Sequence, residues 1–208
     1  MRKSAFVCLF AVLLLTSCSS TKPSETSSSP KPAAPQAEYE TGRVAFQKMY
    51  LSAHSWASDA QPFRLQSQYT TGAAVNEGKA GIWRASFGSP GKRMMKMFMW
   101  SGLTGPDAPE RGITFSAEDS WSPENTSTRI FQFGFLKVDS DKAYEVADKN
   151  GGSKLVKKDP KQPVFFVLDW DASKNTLLWH VIYGEGLDGA KLRVAVNAST
   201  GEFERVEK

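Results

Sequence analysis

Thiols are nearly missing from this chain, and so are imidazoles. Of 208 residues only two are cysteine, Cys8 and Cys18, and two are histidine, His54 and His180. Both cysteines fall within the first 18 residues, so the remainder can form no disulfide, no thiolate metal site and no cysteine nucleophile. It must hold together by burial. The two histidines form no H-E-x-x-H pair and have no second imidazole at ligand spacing, which argues against a zinc enzyme. Serines are plentiful, yet no G-x-S-x-G elbow occurs. The glycine-rich run Gly88-Ser89-Pro90-Gly91-Lys92-Arg93 lacks the spacing of a phosphate cradle and reads as a hairpin turn. Long apolar runs are lacking too, because Ala5 to Leu14 is too short to anchor across a bilayer. No cofactor and no metal are expected.

What is present begins with Met1-Arg2-Lys3, the short apolar run, and then Leu15-Thr16-Ser17-Cys18. A basic start, an apolar core and small residues before a cut describe a secretory signal. The Cys directly after the small residues makes residues 1–17 resemble a bacterial lipoprotein signal peptide. That resemblance implies cleavage before Cys18, a diacylglycerol on the Cys18 sulfur and acyl chains such as palmitate. Ser19 rather than Asp after the Cys implies the outer membrane, with the chain facing the periplasm. Without Arg2 and Lys3 the chain keeps 24 basic against 22 acidic residues, a net of +2 in place of +4. So small a surplus does not suggest nucleic acid, which needs a clustered basic face.

Within residues 18–39, positions 19–38 are Ser, Pro, Ala and charge with no aliphatic residue larger than Ala, a composition that cannot repay the entropy of ordering. They read as a solvated tether, whose ~20 residues span on the order of 25 Å.

From Glu40 to about Trp56, Phe46, Met49, Tyr50 and Ala53 recur at helical spacing and form one apolar stripe. Alternation then predicts strands at 63–69, 80–87, 93–100 and 113–115, with turns at 72–78 and 89–91. Arg129 to Val138 also alternates and predicts a strand with Phe131, Phe133 and Phe135 on one face. A second helix is expected from Asp139 or Ser140 to about Lys149, halted by Asn150-Gly151-Gly152. Strands at 164–170, 176–183, 191–197 and 202–206 follow.

The order helix, strands, Trp is used twice. Ala45 to Trp83 is 38 residues and Ala143 to Trp179 is 36, and each Trp opens a strand, a Gly-containing turn and a further strand. Self-similarity on this scale implies two copies of one unit, here residues 40–138 with extra strands and 139–208. The fold class expected is α+β: two tandem modules, each a helix packed on an antiparallel β-sheet.

The second copy resembles the PepSY domain. The resemblance is carried by Leu177 to Gly184 (L-L-W-H-V-I-Y-G) and by Leu192 to Glu202 (L-R-V-A-V-N-A-S-T-G-E), where Asn197 stands in place of the family's usual Asp. The first copy keeps the helix, Trp83 and Gly102 but has no T-G-E. Membership in such a family implies a non-enzymatic envelope module that binds a protein or peptide, with restraint of a peptidase as the family-derived role.

Three clusters remain. His54 and His180 read as surface or interface side chains. Asp169 and Asp171, two apart on a strand, face the same way and could act as an acid/base pair, but the Ala-Ser-Lys-Asn that follows reads as a solvated turn. The segment Lys92 to Trp100 places Met95, Met97 and Met99 on one face and Met94, Lys96, Phe98 and Trp100 on the other. Met thioethers suit irregular partners, so Lys92, Lys96, Phe98 and Trp100 are candidate binding residues; burial of both faces is the competing expectation. A row of thioethers without His or Cys is a poor copper site. Two alternatives stand beside the binding module. A carrier of a hydrophobic ligand needs an apolar cavity of several hundred Å3 between helix and sheet, and a hydrolase needs Asp169 and Asp171 converging in a pocket.

Overall fold

The computed structural model describes residues 36–68 and 77–207. The signal peptide with Cys18, the tether to residue 35 and the expected turn at 72–76 lie outside the described residues. The elements in chain order are β1 (Glu40–Thr41), α1 (Gly42–Trp56), β2 (Gln61–Ser67), β3 (Lys79–Ala80), β4 (Ile82–Ser89), β5 (Met94–Ser101), β6 (Gly112–Phe115) and β7 (Asp119–Ser120). Then come α2 (Ser140–Ala147), α3 (Ser153–Lys158), β8 (Val164–Asp171), β9 (Thr176–Gly184), β10 (Ala190–Asn197) and β11 (Phe203–Glu207).

The α+β expectation holds, with one difference. Both halves build a single nine-stranded antiparallel sheet rather than a sheet each, in the order β11-β10-β9-β8-β2-β4-β5-β6, with β7 beside β5. Each half lays its strands outward from the middle, and the innermost strands β2 and β8 pair antiparallel through Arg64–Asp169, Leu65–Leu168 and Gln66–Val167. The strands on one side of the β2-β8 joint follow the same outward order as those on the other, the arrangement that an approximate two-fold axis normal to the sheet at that joint would give.

The two tryptophans sit in matching surroundings. Trp83 on β4 and Trp179 on β9 are both fully buried and meet edge to face at 6.3 Å between ring centroids. Trp83 Nε1 donates to the Glu40 carbonyl at 2.9 Å and Trp179 Nε1 to the Val138 carbonyl at 2.8 Å. Each acceptor lies two residues before the first residue of its own half's helix. Buried indoles need such a partner, and here the same device ties sheet to helix twice. The helix N-termini abut at the axis, where a Cβ on Gly42 would stand 2.6 Å from the Trp179 ring. Only glycine fits.

Helices and aromatic linker cover one face. Phe46 of α1 stacks on Phe87 at 5.6 Å, on Phe133 at 5.3 Å and on Phe131 at 6.5 Å. These contacts explain why residues 129–138 are not the strand that their alternation suggests. Phe131 and Phe133 both turn towards α1, a 3-10 turn runs through Phe133–Phe135, and the backbone finds isolated partners instead of a ladder: Phe131 N donates to Pro62 O, and Val138 N to Ala198 O. Helix α2 also departs from expectation. Gly151, at φ +122°, kinks the chain, but helix resumes as α3 because Leu155 and Val156 still pack on the core. Local stop chemistry is there; tertiary burial carries the helix past it.

Candidate functional site

Strand alternation sorts the sheet's side chains onto two faces, with Ile82, Leu178, Ile182 and Ala195 fully buried on the side away from the helices as well. Leu65, Trp83, Ala85, Phe166, Leu168, Trp179 and Val181 are buried on the helix side. The opposite face carries Met95, Met97 and Met99 on β5, Arg84 and Ser86 on β4, Arg64 and Gln66 on β2, Val167 and Asp169 on β8, and His180 on β9. Arg193 on β10 and Arg205 and Glu207 on β11 complete it. Among the described residues no α-helix lies on this side. Trp121 covers only its Gly88 corner, where a Cβ would come within 2.8 Å of the indole.

At the second half's end this face is a chain of ion pairs. Asp169 accepts from Arg64 Nη1 at 3.1 Å and meets His180 Nε2 at 3.1 Å; His180 Nδ1 meets Glu207 at 2.8 Å. Arg205 bridges Glu207 at 2.9 Å and Asp171 at 3.1 Å, and Arg193 lies 3.6 Å from Glu207. Burial by itself would lower the His180 pKa, but the hydrogen bonds and charges of Asp169 and Glu207 outweigh it and hold it at about 9. At neutral pH the ring is therefore an imidazolium with no free lone pair for a base or a metal. Glu207 is held below its ordinary range: burial opposes this, while the His180 hydrogen bond and charge, with Arg205 and Arg193, prevail. Asp171 is likewise lowered, first by the Ser173 hydroxyl, against burial, then by the Lys174 and Ser173 amides and Arg205.

This corrects the solvated-turn reading of Asp169: the carboxylate is an internal link of a four-cation, three-anion network. Asp171 serves the turn as expected, accepting from the amides of Ser173 and Lys174, and joins the network as well. Sequence alternation put Asp169 and Asp171 on one face and read His180 separately as a surface or interface side chain; the β8-β9 register is what brings His180 beside Asp169. Alternation could not pair them with Glu207, which reaches them only through the β9-β10-β11 register.

The four candidate binding residues do not face this side. Phe98 and Trp100 are 2% and 4% exposed beneath α1, which makes them core and removes them from any contact surface. Their side of β5 looks at the helix, so they fill it. Lys96 lies over the Phe115 ring at 4.3 Å, and Lys92 over Trp56 at 5.2 Å with Glu118 3.6 Å away. The half-buried side of β5 is the methionine row. His54 stands apart from His180, against the Tyr50 ring at 4.3 Å, in a hollow of about 350 Å3 with Asp59, Phe131 and Phe133.

The space between helix and sheet, where a hydrophobic-ligand carrier needs a cavity, is filled by Phe46, Phe87, Trp83, Phe166 and Trp179. The concavity on the helix-free face is instead a groove of about 240 Å3 walled by Arg64, Gln66, Gln68, Arg84, Phe165, Val167 and the hairpin residues Glu185 to Leu187. Asp169 and Asp171 do not line it. A wider polar hollow of about 860 Å3 lies beside α2, with Tyr39, Glu77, Lys79, Asp141 and Asp148 in its walls. No three His, Cys, Asp or Glu among the described residues converge as metal ligands would.

No protein-family model matches the chain, and no curated protein matches it in sequence. Among solved structures it is similar to the crystal structure of a protein from Clostridium difficile 630 that carries a provisional lipoprotein designation. The TM-score is 0.49 at 13% identity, over 81% of this chain and 95% of that one. No helix among the described residues is long and apolar enough to cross a membrane.

Proposed function

We propose that this chain is a lipid-anchored envelope protein that binds a protein or peptide on the helix-free face of its sheet. The observation that carries the reading is one-sided cover. Helices and linker bury one face, while the other presents methionines, arginines and a groove on a rigid support. Adaptable thioethers beside fixed charges suit a polypeptide partner. The anchor rests on Leu15 to Cys18, with the outer membrane as its destination. The PepSY resemblance, which rests on Leu177 to Glu202, adds a finer reading: the partner is a peptidase or its substrate, and binding restrains cleavage.

Two experiments test this. Replacing Cys18 by Ser shifts the chain from the detergent phase to the aqueous phase on fractionation; unchanged partitioning overturns the anchor. A photo-crosslinking residue at Met97 captures a defined envelope polypeptide, whereas the same residue at Leu51, exposed on α1, does not. Equal capture at both positions, or at neither, overturns the surface.

A further inference from the structure

We infer that Arg84 is the anchor of the binding face and takes a single carboxylate of the partner, an acidic side chain flanked by apolar residues. The inference deepens the reading just given and rests on it. Every other arginine on this face already has an acid: Arg64 has Asp169, Arg193 has Glu207, and Arg205 has both Asp171 and Glu207. Arg84 has none among the described residues. Its neighbours across the ladder are Gln66 on β2 and Met99 on β5, both uncharged.

The guanidinium is also part-buried, with Nε out of contact with water and without a hydrogen-bond partner among the described residues; Gln68 Oε1 in the same groove is equally unpaired among them. An uncompensated cation in such a place is costly, and a carboxylate relieves it through two parallel N–H···O bonds. The walls on one side are Phe165, Val167 and Leu187, and on the other side the methionine row begins at Met99. Apolar residues before and after the acid therefore have surface to cover. Glu185 lines the groove without a salt-bridge partner among the described residues, so the groove already holds one negative charge and opposes a doubly charged anion more strongly than a single carboxylate. A lone carboxylate fits better than a phosphate.

The test uses the full chain and an array of N-acetylated, C-amidated nonapeptides with Glu or Gln at the centre and Leu, Val or Phe on either side. Binding is read by fluorescence anisotropy. Replacing a charge-assisted pair by a neutral one is worth about tenfold or more, so the best Glu peptides bind at least about tenfold tighter than their Gln partners. Arg84→Gln abolishes that preference, Arg84→Lys keeps part of it, and Arg193→Gln leaves it intact, with thermal melts confirming that each variant is folded. A preference for Glu nowhere in the array overturns the inference, as does a preference that survives Arg84→Gln. Arg84-dependent binding of phosphatidylglycerol vesicles in place of peptides overturns it too. If crosslinking at Met97 succeeds while the Glu preference fails, the anchor falls and the face stands; if both fail, the face falls.

Discussion

Replacing Asp139 by Ala should weaken both helices at once, although the residue precedes only one of them. Asp139 Oδ1 accepts from Ser140 N at 2.7 Å, at the start of α2, and from Arg43 N at 2.8 Å, in the first turn of α1. Its Oδ2 accepts from the Thr41 hydroxyl at 2.6 Å, and Thr41 makes no capping bond of its own. One carboxylate thus serves two helix N-termini that meet at the axis. Each lost cap is worth about 1 kcal/mol, and each lost charge–dipole contact about 0.3–1 kcal/mol. The sum is about 2–4 kcal/mol, and in a folded part of this size that lowers Tm by roughly 5–15 °C. Asp139→Asn keeps one acceptor and loses the charge, so it should fall about midway. Asp141→Ala, in the first turn of α2 alone, should cost less than about 1 kcal/mol. Urea melts give the free energies, and hydrogen exchange locates them: first-turn amides of α1 and α2 should both lose protection. Loss confined to α2, or a total below about 1 kcal/mol, refutes the shared cap.

The His180 network makes stability depend on alkaline pH. The folded-state pKa of about 9 lies above the ordinary 6.5, so the contribution, on the order of 3 kcal/mol, is fully present below pH 6.5 and is lost as pH rises through 9. Urea melts from pH 6 to 10 should show this loss, and His180→Gln should flatten that part of the profile; an unchanged profile counts against the pairing. Tyr183→Phe should leave stability unchanged or raise it by up to about 1 kcal/mol, because the buried hydroxyl has no hydrogen-bond partner among the described residues; a clear loss in thermal melts means the hydroxyl is bonded. Gly42→Ala should cost more than about 2 kcal/mol, since the added methyl overlaps the Trp179 ring; a melt within 2 °C of the parent protein rejects that packing.

Much of this architecture is readable from side-chain periodicity. The stripe Phe46, Met49, Ala53 gives α1, and the alternation around Trp83 and Trp179 gives β4 and β9 with the correct residues inward. Such signals survive because burial acts on every second or every third to fourth residue, whatever the partner is. Features that depend on which distant segment arrives are silent. Asp139 reaches Thr41 across 98 positions, and nothing near Thr41 announces a borrowed cap. The run Phe131 to Phe135 alternates like a strand, but its rings answer to Phe46 rather than to a neighbouring ladder. On β5 the division into two faces was legible, whereas which face would be covered depended on where α1 lay. Nothing in the sequence around Arg84 marks it, because its uncharged neighbours Gln66 and Met99 come from other strands.

The joint between β2 and β8 engages three residue pairs, against eight between β4 and β5. Cutting the chain at residue 138 would strip α1 of its anion, expose the inner edge of β2 to any passing strand, and leave Trp83 without the indole it leans on. Neither portion is then a smaller version of the whole. Changes on either side of the joint must therefore be tolerated by the other.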